Sequence, residues 1–143
     1  GGGGLTAGVA LAVNDAFPDA RIYSVEPEGF DDMARSLKAG TLQANAQTSG
    51  SVCDALLTPS PGETGFAINW RLLAGGLSVS DAEALSAVAW AFRNLKLVLE
   101  PGGAVALAAL LTGKADVRGR TVLAILSGGN VDADVFVRAL QQT

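Results

Sequence analysis

The sequence predicts an α/β fold, a partial open parallel sheet with helices on both faces. Helical periodicities alternate with short apolar runs that lack the polar-apolar alternation of a half-exposed strand. Parallel strands joined by crossover helices and covered on both sides leave that pattern. Apolar residues make up 49% of the 143, and charged residues only 17%, below the roughly 25% usual in a soluble domain. Much of the surface is therefore expected to be covered. The length is that of one domain, with enough chain to bury a core.

Leu5, Val9, Ala12, Val13, Ala16 and Phe17 recur at helical steps, which predicts a helix that starts inside the glycine run and stops at Pro18. Arg21 to Glu26 reads as a short strand before Pro27. Asp31 to Ala39 is helical with Gly40 as C-cap, and Thr41 to Ser51 is a polar surface loop. Phe66, Trp70, Leu72 and Leu73 mark a further helix, closed by Gly75-Gly76, with a brief strand at Leu77 and Val79. Ser80 and Glu83 have capping-box spacing ahead of a long helix whose face is Leu85, Val88, Ala89, Phe92, Leu95 and Leu99. Pro101-Gly102-Gly103 launches a small-residue helix from Ala104 to Leu111, expected to be buried on most sides. Thr121 to Leu126 reads as a buried strand, and a last helix runs from about Asp132 to Leu140. A glycine loop feeding a helix normally follows a strand in such folds, so the first strand is expected to lie outside these residues.

The formal charge of −4, with Lys and Arg scattered singly, leaves no basic face for nucleic acid. The absence of histidine excludes an imidazole base, a Cys/His zinc set and a serine triad from this chain. Cys53 has no cysteine to pair with and reads as a small buried thiol, which fits a cytoplasmic protein, as does the lack of signal-peptide or membrane character in the opening glycines.

Gly1 to Gly4 before a helix would offer unpaired backbone N–H groups to an anion such as a phosphate. Composition alone equally allows a linker or an expression scar. The run matches neither a P-loop nor a dinucleotide fingerprint. Ser127, at the carboxyl end of the expected strand, stands where α/β sheets bind ligands, and its hydroxyl suits a ring nitrogen. A plain turn with a helix cap is the other reading. Glu26 with Asp31 and Asp32 forms a carboxylate cluster suited either to a hard cation or to helix capping.

Taken together, GGGGLTAG at 1–8, VEP at 25–27, LEPGGAVALAAL at 99–110 and LSGGNVD at 126–132 resemble the fold type II pyridoxal-phosphate enzymes, within them the threonine dehydratase and serine racemase branch. The likeness spans nearly all 143 residues, with four motifs in order. It implies that the amides of Gly1, Gly2, Gly3 and Gly4, with Leu5, hold the phosphate of pyridoxal 5'-phosphate, and that Ser127 hydrogen-bonds its ring nitrogen. A neutral hydroxyl leaves the ring a weaker electron sink than an aspartate would, which suits elimination of water. The resemblance also implies a Mg²⁺ or Ca²⁺ site at Glu26, Asp32 and the carbonyl of Phe30. Glu100 matches an acidic residue near the cofactor end. The family commonly shows Ala-Asp-Gly where this chain has Cys53-Asp54-Ala55, so the pocket shape is expected to differ there.

The family's lysine and its small, substrate-binding domain lie upstream of the tetraglycine, so the expectation is of the carboxyl-terminal portion of a large domain, inactive alone. Its partners are then the upstream part of the same enzyme, a small amino-acid substrate and a second copy in a homodimer. The implied reaction converts threonine or serine to a 2-oxo acid and ammonia. Serine or aspartate racemisation is the enzymatic alternative, and a non-catalytic anion-binding or assembly module the alternative of another class.

Overall fold

The computed structural model describes residues 1–142. Helix α1 (Gly4–Ala16) begins at the glycine run and ends before Pro18, with the Phe17 N–H donating to the Val13 carbonyl. Strand β1 (Ile22–Pro27) follows, and a tight turn leads into α2 (Asp32–Ala39). Gly40 ends that helix in the left-handed region, φ 72°, its N–H donating to the Ser36 carbonyl at 2.9 Å. A 3₁₀ turn spans Asp54–Leu56, and α3 covers Glu63–Leu72.

Helix α3 passes directly into strand β2 (Leu73–Val79). The Gly75-Gly76 pair therefore does not close a helix; it lies within a strand. The physical reason is space. A Cβ at Gly76 would meet the Ala34 Cβ at 2.6 Å and its Cα at 2.7 Å, so α2 can lie close on the sheet only because position 76 has no side chain. Strands β1 and β2 pair in parallel, Val25 opposite Leu77 and Pro27 opposite Val79.

Ser80 caps α4 (Asp81–Leu95) through a complete capping box: its Oγ accepts from the Glu83 N–H at 3.3 Å, and the Glu83 carboxylate accepts from the Ser80 N–H at 2.7 Å. The bond from the Ser80 N–H, with the Lys114 ammonium 3.2 Å away, holds the Glu83 carboxyl below its usual range. Pro101 occupies the first turn of α5 (Pro101–Leu111), where its missing N–H costs nothing. A last helix, α6, spans Ala133–Leu140.

The sheet separates two layers. Helix α2 lies on the face that carries Ser24 and Gly76, while Val25, Leu77 and Val79 face the main core. That core is built from the alanine-rich sides of α4 and α5, with Leu85, Val88, Val105 and Leu107 between them and the fully buried Cys53 at its edge. Small side chains let α4 and α5 approach closely. The buried side of α4 is Ala84, Leu85, Ala87, Val88, Ala89 and Ala91, whereas Phe92 and Leu95 are exposed.

Thr121 to Leu126, expected as a strand, is not one. A strand exists through its ladder, and among the described residues no segment pairs with this run. Leu123 is 76% exposed, and Val122 and Ile125 are exposed beside it. No helix among the described residues is long and apolar enough to cross a membrane.

Candidate functional site

The glycine run forms the start of α1. Gly3 is its N-cap, with φ 86° and ψ 1°, a left-handed conformation that glycine adopts without strain. Its carbonyl accepts from the Ala7 N–H at 2.9 Å and from the Asn69 Nδ2 at 3.1 Å. The Gly2 carbonyl accepts from the Gly62 N–H at 2.9 Å. Helix α3 thus braces the loop from behind, and Gly65 permits the approach: a Cβ there would lie 3.2 Å from the Gly2 oxygen. Gly2, Gly4 and Leu5 face solvent, and nothing stands within 4 Å of where a Gly4 side chain would be. An open helix N-terminus with its first N–H groups free is able to bind an anion.

Glu26 is the penultimate residue of β1, and its carboxylate accepts from the N–H groups of Met33 at 3.0 Å and Ala34 at 2.9 Å. It caps α2 from outside the helix, as the capping alternative in the sequence anticipates. Burial pushes its carboxyl up to about 7 despite those two bonds. Asp32 is fully buried and likewise raised by burial; its Oδ1 accepts from the Asn45 Nδ2 at 2.7 Å and its Oδ2 has no hydrogen-bond partner. Phe30 is buried in the turn between them. Asp31, the third acid of the cluster, turns instead to Arg35 at 3.2 Å. Among the described residues no group of three or more histidine, cysteine or acidic side chains is gathered for a metal.

The second glycine-rich segment, Ser127 to Asn130, packs on the start of α5. The Gly128 carbonyl accepts from the Glu100 N–H at 3.1 Å. The Glu100 carboxylate fills the space a Gly128 side chain would need, and a Cβ on Gly103 would lie 2.5 Å from the Gly128 oxygen. Ser127 is exposed at this junction. Asp132, not Ser127, stands at the N-cap position of α6, and its side chain makes no capping bond.

The 3₁₀ turn joins the two segments. A Cβ on Gly1 would lie 3.4 Å from the Ala55 oxygen, while one on Gly102 would lie 3.7 Å from the Ala55 methyl. Both N-termini, of α1 and α5, therefore border the same turn, and the Ala55 methyl fits beside Gly102 without a clash. Sequence reasoning missed Asn69 and Met33. Asn69 is a mid-helix residue 66 positions from the carbonyl it holds, and no local pattern marks it.

An α/β scaffold with a braced glycine loop at a helix N-terminus defines a class of proteins able to hold a phosphorylated ligand beside a sheet. The sequence profile of one family, described as pyridoxal-phosphate dependent enzyme, matches residues 1–128. The chain belongs to that family, and within it to the threonine dehydratase and serine racemase branch of fold type II. An L-threo-3-hydroxyaspartate ammonia-lyase from Pseudomonas sp is 36% identical over 141 residues, which cover 99% of this chain and 44% of that protein. The crystal structure of a T.th. threonine deaminase superposes with a TM-score of 0.86 at 41% identity, over 92% of this chain and 48% of the other. Maize serine racemase gives 0.85 at 31% identity, over 97% and 43%. The chain thus spans less than half the length of these relatives.

Proposed function

We propose that this chain is the carboxyl-terminal portion of the large domain of a pyridoxal-phosphate-dependent ammonia-lyase that converts L-threonine or L-serine to a 2-oxo acid and ammonia. The observation that carries the reading is the glycine loop: carbonyls tied to α3, amides free, and open space in front of Gly4. That arrangement fits a phosphate. Bound pyridoxal phosphate supplies the electron sink that makes the substrate's α-proton removable. The amides of Gly1, Gly2, Gly3 and Gly4, with Leu5, hold the phosphate. The Ser127 hydroxyl pairs with the ring nitrogen as a neutral partner. Residues of this chain thus bind and orient, while the lysine that moves the proton and the small domain that grips the substrate carboxylate come from further polypeptide of the same enzyme. The relatives named above support a hydroxy amino acid as the substrate class.

Glu26, Asp32 and the Phe30 carbonyl are the donors for a Mg²⁺ or Ca²⁺ ion. The buried Asp32 oxygen without a partner fits that assignment. All three donors are hard oxygens, as those ions require. Such an ion would steady the turn between β1 and α2; it carries no step of the reaction. We further propose a cytoplasmic homodimer.

The test is to express the whole enzyme that contains this chain and incubate it with L-threonine and L-serine. Release of ammonia and 2-oxo acid is expected. Inversion at Cα without ammonia release would favour the racemase, a reading supported by the likeness to maize serine racemase. If neither product forms with any hydroxy amino acid, both readings fall.

A further inference from the structure

We propose that Asn69 is a positioning residue for the glycine loop, turning the Gly3–Gly4 peptide so that the Gly4 N–H faces the anion; this deepens the phosphate reading and rests on it. Every peptide bond among the described residues is trans. In a trans peptide the carbonyl and the next residue's N–H lie in one plane and point in opposite directions. The Gly3 carbonyl, which also takes the first helical bond of α1 from the Ala7 N–H at 2.9 Å, is gripped from the α3 side by the Asn69 Nδ2 at 3.1 Å. The Gly4 N–H must therefore point away from α3, and Gly4 itself is exposed. The Gly62 N–H does the same for the peptide before it, fixing the Gly2 carbonyl at 2.9 Å and so turning the Gly3 N–H outward.

The choice of asparagine is otherwise hard to explain. Its side chain is fully buried, and its Oδ1 has no hydrogen-bond partner among the described residues. A leucine would fill that position without stranding a buried acceptor. What leucine lacks is the donor that grips Gly3. The same Nδ2 lies 3.9 Å from the Met33 Sδ. Met33 and Asn69 together occupy the place where a Gly3 Cβ would go, at 2.5 and 3.0 Å. Asn69 thus acts through the loop and touches no ligand itself.

The test uses the whole enzyme with the substitution Asn69→Leu, and measures dissociation constants for pyridoxal phosphate and for pyridoxal, which lacks the phosphate. Loss of one well-aimed donor to a charged group should weaken the phosphorylated compound about tenfold. Pyridoxal should change less than about twofold, since it makes none of the affected bonds. A general structural role would weaken both alike. A folded Asn69→Leu protein that keeps the wild-type ratio overturns the proposal, and if Gly3→Ala loses the ratio while Asn69→Leu keeps it, the cradle stands without this device. A wild-type enzyme that does not discriminate the two compounds overturns the cradle itself. Should Asn69→Leu not fold, the wild-type side-chain amide of Asn69 serves instead. Its NMR resonances should shift on saturation with pyridoxal phosphate or inorganic phosphate and not with pyridoxal. Resonances that stay unmoved overturn the proposal.

Discussion

Gly1–Gly4 and Ser127–Asn130 are both glycine-rich and both border the Asp54–Leu56 turn or the helix beside it, yet they need glycine for different reasons. In the first segment the requirement is conformational. Gly3 has φ 86°, and in that conformation its carbonyl accepts from both the Ala7 N–H and the Asn69 Nδ2. In the second segment neither Gly128 nor Gly129 has a left-handed φ. The requirement there is room: the Glu100 carboxylate lies where a Gly128 side chain would go, and the Val98 carbonyl lies 2.8 Å from where a Gly129 side chain would begin. Two runs that look alike in sequence are thus a turn and a contact surface. A methyl group should hurt each in a different way.

The largest effect is expected on the contact side of that pair. Gly103→Ala places a methyl 2.5 and 2.7 Å from the Gly128 backbone, which cannot swing aside as a side chain can. A loss of about 3 kcal/mol is expected, read as a lowered urea midpoint. Gly3→Ala should cost about 2 kcal/mol, part from the left-handed backbone and part from the Met33 methyl. In the Met33→Ala background, where the closer of the two obstacles is gone and only the Asn69 amide at 3.0 Å is left, about 1 kcal/mol of mainly backbone cost should persist. Gly128→Ala should cost about 1 kcal/mol, because the obstacle is the flexible end of Glu100. In the Glu100→Ala background that cost should vanish. Persistence of the Gly128→Ala cost, or disappearance of the Gly3→Ala cost, would break the distinction between a glycine for shape and a glycine for space.

The smallest expected effect is at Cys53, which belongs to the core. Burial pushes its thiol up to about 11. The folded state therefore favours the protonated form, so its contribution to stability is complete below the ordinary thiol value of 9.0 and is lost as pH rises towards 11. At pH 8 a thiol reagent should not modify the native protein and should modify the unfolded chain at once. Rapid labelling under native conditions would contradict the buried placement.

Signals with a local cause were legible in the sequence. The Ser80–Glu83 capping box, the Gly40 cap and the buried α5 all follow from spacing or composition within one element, and all are present. Features set by a distant partner were not legible. Thr121–Leu126 has strand composition, but composition cannot provide a neighbouring ladder. Gly75-Gly76 resembles a helix stop, and only the approach of Ala34 shows that the pair keeps a strand clear. The same limit hid Asn69, whose role depends on a carbonyl at the other side of the fold. Glu26, Asp31 and Asp32 were legible as a local acidic cluster, but that Asp31 turns away to Arg35 was not.

The central claim is that the outward N–H groups around Gly3 hold a phosphate, and a crystal structure of the whole enzyme with pyridoxal phosphate tests it most directly. Phosphate oxygens should lie within about 2.7–3.1 Å of amide nitrogens between Gly1 and Leu5, with the Gly3 carbonyl still on Asn69. A phosphate seated elsewhere, with those amides facing only solvent, would contradict the account.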